Sequence, residues 1–443
     1  MKGATPRART RTSRRLADRL PDLLRETAFR RYWSAQTISM FGDQISSIAI
    51  PLVAVIALHA NAAQMGIEAA LIWLPSLLFG LHAGALVDRR GRRRHMMIAA
   101  DLGRAALLIS IPVCYAAGVL TMLQLYGVAF GVGTLSVFFV VSDPAMFVSL
   151  VPDDKYVNGQ SLVYGSRAIS FVGGPSVGGI LVQVLSAPGA VLADALSYLG
   201  SAFFLTRIRP QEPPKAEPGK GTLLAGAKFI KNSPIVRSSL IAVSVINFFD
   251  FVFFALFVLY ATKSLHVAPG VLGLVLGAGA IGGVLGAAVT KRLADRIGVG
   301  RAYTLGCLLF TAPLALVPAA AGPRPVILAM LVAAEFVSGF GVMTLDISIG
   351  AIFAAVIPDE MRSRVTGAFQ AVNYGTRPLG ALAGGLLGTF IGTRPTLWIA
   401  AAGATLGFAL LLPTPIPTFT MPSQEEKIAP AESPTQSLIN DAA

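Results

Sequence analysis

Ionisable side chains stand inside runs that are otherwise apolar, and five of them set the chemistry open to this chain: Asp43, Arg167, Asp250, Glu335 and Arg377. Burial in an apolar medium disfavours a carboxylate and a nearby guanidinium favours it. An Asp near an Arg therefore takes up or releases a proton when their separation changes. Arginine stays charged throughout, so it responds to the carboxylate but does not carry the proton. Asp43 lies on a polar stripe with Gln36, Ser39, Ser46 and Ser47 at roughly helical spacing, and Asp250 follows Ser244 and Asn247. Asp43 or Asp250 is the expected proton carrier, with Arg167 and Arg377 as charge partners and Glu335 in reserve. Asp346 follows Glu335 by 11 residues and so shares its helical face. Asp101 and Arg104, at i and i+3, read as a local structural pair.

The elements that position these groups must be helices that cross a bilayer. Of 443 residues, 54% are hydrophobic and only 13% charged, and the mean hydropathy is +0.67. So few charges cannot screen so much apolar surface from water, and lipid has to serve as solvent. Six apolar segments lie near 33–58, 66–87, 95–118, 122–148, 158–184 and 188–207, and six more near 236–262, 269–290, 302–321, 325–350, 365–391 and 395–413. Each is close to the ~20 residues that span a membrane. The organisation is a basic tail (1–28), a six-helix half (29–208), a polar linker (209–234), a second six-helix half (235–413) and a polar, disordered tail (414–443). The linker carries a partly amphipathic stretch at 223–230 that reads as a surface helix.

The net charge of +13 is distributed as topology rather than as a nucleic-acid surface. With a cytoplasmic N-terminus, the basic residues gather in the tail, in 89–94, around the linker and near 291–301. The opposite face keeps only Lys263, Arg324 and Arg394. Both termini are then cytoplasmic. Cys114 and Cys307 fall in apolar runs and supply neither a disulfide framework nor metal-ligand spacing.

The halves repeat one another. A shift of 207 residues superposes Asp43 on Asp250, Leu58-His59 on Leu265-His266, Gly66 on Gly273 and Asp88-Arg89 on Asp295-Arg296. A shift of 206 brings Pro152-Asp153 onto Pro358-Asp359 and Gly178-Gly179 onto Gly384-Gly385. Such duplication is how many secondary transporters are built. His59 and His266, equivalent at helix ends, are expected to serve turns. The rings of the Phe-rich seventh segment, from Phe248 to Phe257, cover every face, so most are expected to meet lipid or neighbouring helices and one or two to offer an aromatic wall to an apolar ligand.

Two motifs carry a family resemblance. Gly84-Ala85-Leu86-Val87-Asp88-Arg89-Arg90-Gly91-Arg92-Arg93-Arg94, between the second and third segments, resembles the G-x-x-x-D-R-x-G-R-R-R loop of the major facilitator superfamily, and a degraded copy stands at Leu293-Ala294-Asp295-Arg296-Ile297-Gly298. The resemblance implies a cytoplasmic latch between the halves. Asp88 would face the positive N-terminus of the helix beginning near Arg364, and Arg92 would meet Asp143. Gly174-Pro175-Ser176-Val177-Gly178-Gly179 resembles the core of the antiporter motif found in exporters of the superfamily, with Ser161 and Ser170 where upstream glycines stand in the family. Phe29-Arg30-Arg31-Tyr32-Trp33, Asp101-x-x-Arg104 and Asp194-Ala195-Leu196-Ser197-Tyr198 look like the bacterial branch of macrolide-efflux and enterobactin-export proteins.

The expectation is an all-α membrane protein of twelve transmembrane helices in two pseudo-symmetric halves, multi-pass in a bacterial inner membrane. The family implies a functional monomer. Its expected function is proton-coupled export of an amphiphilic small molecule (a drug, siderophore or natural product) by alternating access. Import or facilitated diffusion of a metabolite is the alternative within transport, and a non-transporting receptor or scaffold the alternative outside it. Neither a phosphate-binding loop nor a metal cluster is present in the sequence, so an enzyme, a bound cofactor and an ATP-driven pump are not expected.

Overall fold

The computed structural model describes residues 22–90, 92–209 and 223–421, which contain helices and no strands. The first six long helices are α1 (Thr27–Leu52), α2 (Ala62–Arg90), α3 (Arg93–Ala116), α4 (Met122–Val148), α5 (Tyr156–Leu185) and α6 (Ala187–Thr206). After a linker helix, Leu223–Asn232, come α7 (Pro234–Lys263), α8 (Pro269–Ile297), α9 (Val299–Ala319), α10 (Arg324–Val356), α11 (Asp359–Phe390) and α12 (Thr393–Ala409). Ten of these twelve carry a stretch long and apolar enough to cross a bilayer. The other two are α11, which is interrupted by Gln370, Asn373, Tyr374 and Arg377, and α12, which has 17 residues.

The duplication is visible in the backbone. α1 and α7 end alike: His59 and His266 both take a left-handed conformation, with φ of 51° and 53°. In each, a wider hydrogen bond closes the end, Ala60 N–H to the Ala54 carbonyl and Val267 N–H to the Ala261 carbonyl, both 2.9 Å. The turn role expected of the two histidines is the one they have. In α1 the last turn widens to a π-helix over Val53–Ala57, just after Pro51.

Contacts between loops define one end of the bundle. Arg94 at the start of α3 donates to the Leu205 carbonyl at the end of α6, at 3.0 Å, and Lys155 before α5 pairs with Glu26 before α1, at 3.3 Å. This basic end also carries the linker helix, which packs on α11 where Gly226 meets the Arg364 backbone. The opposite, far end carries the α1–α2, α5–α6, α7–α8 and α11–α12 turns.

Apolar packing differs between the two ends. At the far end one core unites both halves, running through Ile48, Leu52, Met65, Leu125, Val191, Leu256, Leu272, Val317, Leu331 and Leu397. At the basic end there are two cores. Phe29, Tyr32, Met97, Phe147 and Leu205 belong to the first half, and Val236, Ile246, Tyr303, Ile352 and Val365 to the second. The halves are joined at one end and part at the other.

Close backbone approach makes the far-end junction possible. α2 crosses α11 at Gly66 and Gly385, and α5 crosses α8 at Gly179 and Gly273. A Cβ on Gly66 would lie 2.6 Å from the Gly385 Cα, and one on Gly179 would lie 2.8 Å from the Gly273 Cα. Lipid offers helices no hydrophobic drive to associate, so this intimate van der Waals contact and the Ser176 hydroxyl's 3.3 Å bond to the Gly273 carbonyl are what hold the seam. These four glycines are repeat mates, Gly66 of Gly273 and Gly179 of Gly385.

Candidate functional site

The charged residues lie where the shared core gives way to the separate ones. In α1, Asp43 falls between Ala35 of the first-half core and Ile45 of the shared core; in α7, Asp250 falls between Ile246 of the second-half core and Val252 of the shared one. Glu335 and Arg377 occupy the same layer, following Ala334 and preceding Ala381.

In the first half this layer is a hydrogen-bonded network. Arg104 of α3 is ion-paired with Asp101, both side chains almost wholly buried. Its guanidinium lies 4.1 Å from the Tyr198 ring centre and 4.5 Å from that of Phe139, and reaches Ser136 at 3.4 Å. Tyr198 of α6 donates its hydroxyl to Asp43, which is exposed. Asp194, fully buried one turn before Tyr198, accepts from Ser46 of α1 and, at 2.9 Å, from Ser197. Gly42 leaves room for this, since a side chain there would strike Ser197 and Asp194. The Asp101–Arg104 pair read as local is thus the hinge of a network that ties α1, α3, α4 and α6 together.

The second half is arranged differently. Arg377 of α11 has Asp250 and Asp346 as electrostatic neighbours, but its Nε is buried without a hydrogen-bond partner among the described residues. The guanidinium is stacked on aromatic rings instead, 4.3 Å from Trp73, 4.6 Å from Tyr374 and 5.2 Å from Phe251. Trp73 comes from α2, so this cation–π contact bridges the halves. Glu335 lies against α8 near Gly279 and within electrostatic range of Asp250.

Two expected pairings are not formed. Arg167 has Asp143, not Asp43, as its charged neighbour. Helix register explains this. Gly174 seats α5 on Gln44 of α1, so Arg167, two turns earlier, lies level with Gln36 rather than Asp43. The equivalent seat in the second half is Gly380 on Phe248 and Phe251, and Arg377 sits only one turn from it, beside Asp250. The second difference concerns Asp143 itself. It accepts from the Tyr32 hydroxyl at 2.6 Å and from the Gln36 amide, while Arg92 is exposed. Of the remaining latch residues, Gly91 and the side chains at Gly84, Asp88 and Arg89 lie outside the described residues.

The antiporter-type motif is a packing device with two faces. Gly174 and Gly178 seat α5 on Gln44 and Ile45 of α1, and Gly179 seats it on Gly273 of α8. The Pro175 carbonyl lies 2.5 Å from where a Cβ on Gly273 would stand. Sequence reasoning did not single out Asp194, Tyr198 and Trp73 as site residues. Asp194 and Tyr198 carried a family signal, whereas nothing near Trp73 in the chain marks its role.

A family model described as transmembrane secretion effector, one of the major facilitator families, matches residues 21–440. The chain belongs to that family. It is 25% identical over 376 residues to the MFS-type transporter YfiS of Bacillus subtilis, covering 81% of this chain and 86% of that one. It is 27% identical over 381 residues to the multidrug efflux pump Tap of Mycolicibacterium fortuitum, covering 80% and 88%. Among solved structures, a point mutant of the nucleoside transporter NupG superposes with a TM-score of 0.74 at 10% identity, covering 87% of this chain and 99% of that one. This major facilitator chain is therefore a multi-pass membrane transporter and not an enzyme.

Proposed function

We propose that this transporter is a proton-coupled exporter of amphiphilic small molecules, seated in a bacterial inner membrane with the basic end and both termini cytoplasmic. The observation that carries the reading is the charged layer at the depth where the two halves part. Asp43, Asp250, Glu335 and Arg377 lie where the two separate cores of the basic end meet the shared one, the floor of a cleft that would open between the halves from that end, and the glycine seams close the far side. In this state the cleft admits a molecule from the cytoplasm. Closing the basic end and parting the far end would deliver it outside.

Asp43 and Asp250 are the proposed proton carriers. Asp250 has an arginine close by without a direct bond, so a small displacement of α11 changes how strongly its charge is compensated. Asp43 is exposed, the condition for exchange with water, and is bonded to Tyr198 with Arg104, Asp101 and Asp194 as charged neighbours. Trp73, Phe251 and Tyr374 add an aromatic wall suited to an apolar ligand body. Export rather than import is supported by the antiporter-type motif and by the efflux function in the name of the Tap relative.

The test is ethidium accumulation in inside-out vesicles under an imposed acid-inside gradient. Wild type should concentrate the dye, and Asp43→Asn and Asp250→Asn should lose gradient-driven uptake while still inserting. Gradient-independent uptake by wild type would overturn proton coupling. Gradient-driven uptake retained by both variants would overturn the choice of carriers.

A further inference from the structure

α2 carries a second carboxyl that the mechanism above does not use. Glu68 is 1% exposed, enclosed by protein rather than lipid, and its Oε1 has no hydrogen-bond partner among the described residues. Its electrostatic neighbour is Tyr126 of α4, whose hydroxyl is turned to the Gln64 carbonyl at 3.4 Å. Among the described residues, the other helices packed on this stretch of α2 bring no titratable group to it. α7 contributes Ala255, and α11 contributes Ala381 and Gly385. The cation of α11, Arg377, is seated further along on Trp73. A carboxylate enclosed with no cation beside it among the described residues, and with Oε1 lacking a donor, is disfavoured relative to the neutral acid.

The position of Glu68 ties that proton to the seal. Gly66, two residues earlier, faces α11 and forms the Gly66–Gly385 contact, while Glu68 faces α4 on the other side of the same turn. α2 is also weakened just beyond this turn. Pro75 lies inside the helix, and Gly133 of α4 lets the Ile72 carbonyl and the Pro75 ring approach closely. The first four turns of α2 therefore have a point about which to tilt. Ionising Glu68 requires water between α2 and α4, and a tilt that admits it lifts Gly66 off Gly385. The second half has a carboxyl in the equivalent helix pair, Glu335 between α10 and α8, although it comes from the opposite helix of the pair.

We infer that Glu68 is a proton-binding site whose occupancy seals the far end: the seam closes with Glu68 protonated and opens with Glu68 ionised and hydrated. This deepens the proton-coupled reading and rests on it for its role in transport, but the site itself is testable without transport. Linkage fixes the sign. The closed state binds one more proton than the open state, so raising pH favours opening, by up to about tenfold per pH unit for a single proton.

The experiment uses the full-length protein in vesicles with no substrate, the proton being the only ligand varied. Infrared spectra at neutral pH should show a protonated-carboxyl band that Glu68→Gln and Glu68→Leu both lose. In a background with Cys114 and Cys307 replaced by Ser, the impermeant-maleimide rate of Ala62→Cys, buried in the α2–α11 seam, divided by that of Asn61→Cys, exposed at the same end and so reporting thiolate formation alone, should rise with pH. That slope should be flat when Glu68→Gln is added. A band unchanged by both Glu68 substitutions, or a pH slope that survives them, overturns the inference. Failure of gradient-driven ethidium uptake with the band and slope intact would instead overturn the transport reading.

Discussion

The two halves share a fold and a set of aspartates, yet they hold charge in opposite ways. In the first half Arg104 is paired with Asp101, Tyr198 bonds to Asp43, and Asp194 accepts two serine hydroxyls. In the second half Arg377 rests on aromatic rings near Asp250 and Asp346 without a direct bond to either. The repeat shows where the difference arose. The positions equivalent to Asp101 and Arg104 are Leu308 and Thr311, and those equivalent to Asp194 and Tyr198 are Ala400 and Ala404. Duplication preserved the glycine seats that set helix crossings. It did not preserve the polar network, whose equivalents in the second half carry no charge. The Nε of both arginines is buried without a hydrogen-bond partner among the described residues. Arg104 is fixed by a direct ion pair, whereas Arg377 touches rings and only neighbours its aspartates, which leaves it freer to change partners.

The sharpest way to break this contrast is Arg104→Ala, which strands a wholly buried Asp101. The expected loss is about 3–5 kcal/mol, read as a large fall in melting temperature of the detergent-purified protein. Copying the second half with Asp101→Leu and Arg104→Thr together should restore much of it. Equal melting of Arg104→Ala and Arg377→Ala would mean that the halves do not differ as described. Next in size, Tyr198→Phe removes a hydrogen bond to a carboxylate and should cost about 1.5–3 kcal/mol. Chemical denaturation can measure this, and no change would show that Asp43 is held by something other than Tyr198.

The glycine seams test the shared part of the design. Gly66→Val and Gly273→Val each place atoms where a backbone now stands, so each should destabilise by about 1–3 kcal/mol and speed maleimide labelling of cysteines placed in its own seam. A strong effect in one seam with none in the other would contradict their equivalence. The smallest expected effect is that of Trp73→Ala, which removes one ring from Arg377 at about 0.5–2 kcal/mol. Its signature is a shift in ethidium uptake larger than its shift in melting. The reverse ranking would make Trp73 a packing residue only.

The class and the duplication were legible in the sequence alone. Apolar segments of membrane-spanning length, basic loops on alternate connections and glycines recurring at 206 or 207 residues are one-dimensional signals, and each follows from a local requirement of lipid or of a close crossing. Segment ends were less legible. α1 begins at Thr27 and α11 at Asp359, both before the apolar runs, because a helix continues into the interface wherever its backbone bonds are satisfied within the segment. Partnership was not legible at all. Asp43 and Arg167 occupy equivalent depths on paper, but the seating of Gly174 on Gln44 sets the register of α5 against α1 and gives Arg167 to Asp143. The meeting of Trp73 with Arg377 across the halves, and the enclosure of Glu68 between α2 and α4, depend in the same way on which helix faces touch. Hydropathy records that a residue lies in the membrane, and only the crossing geometry of the helices decides what it faces there.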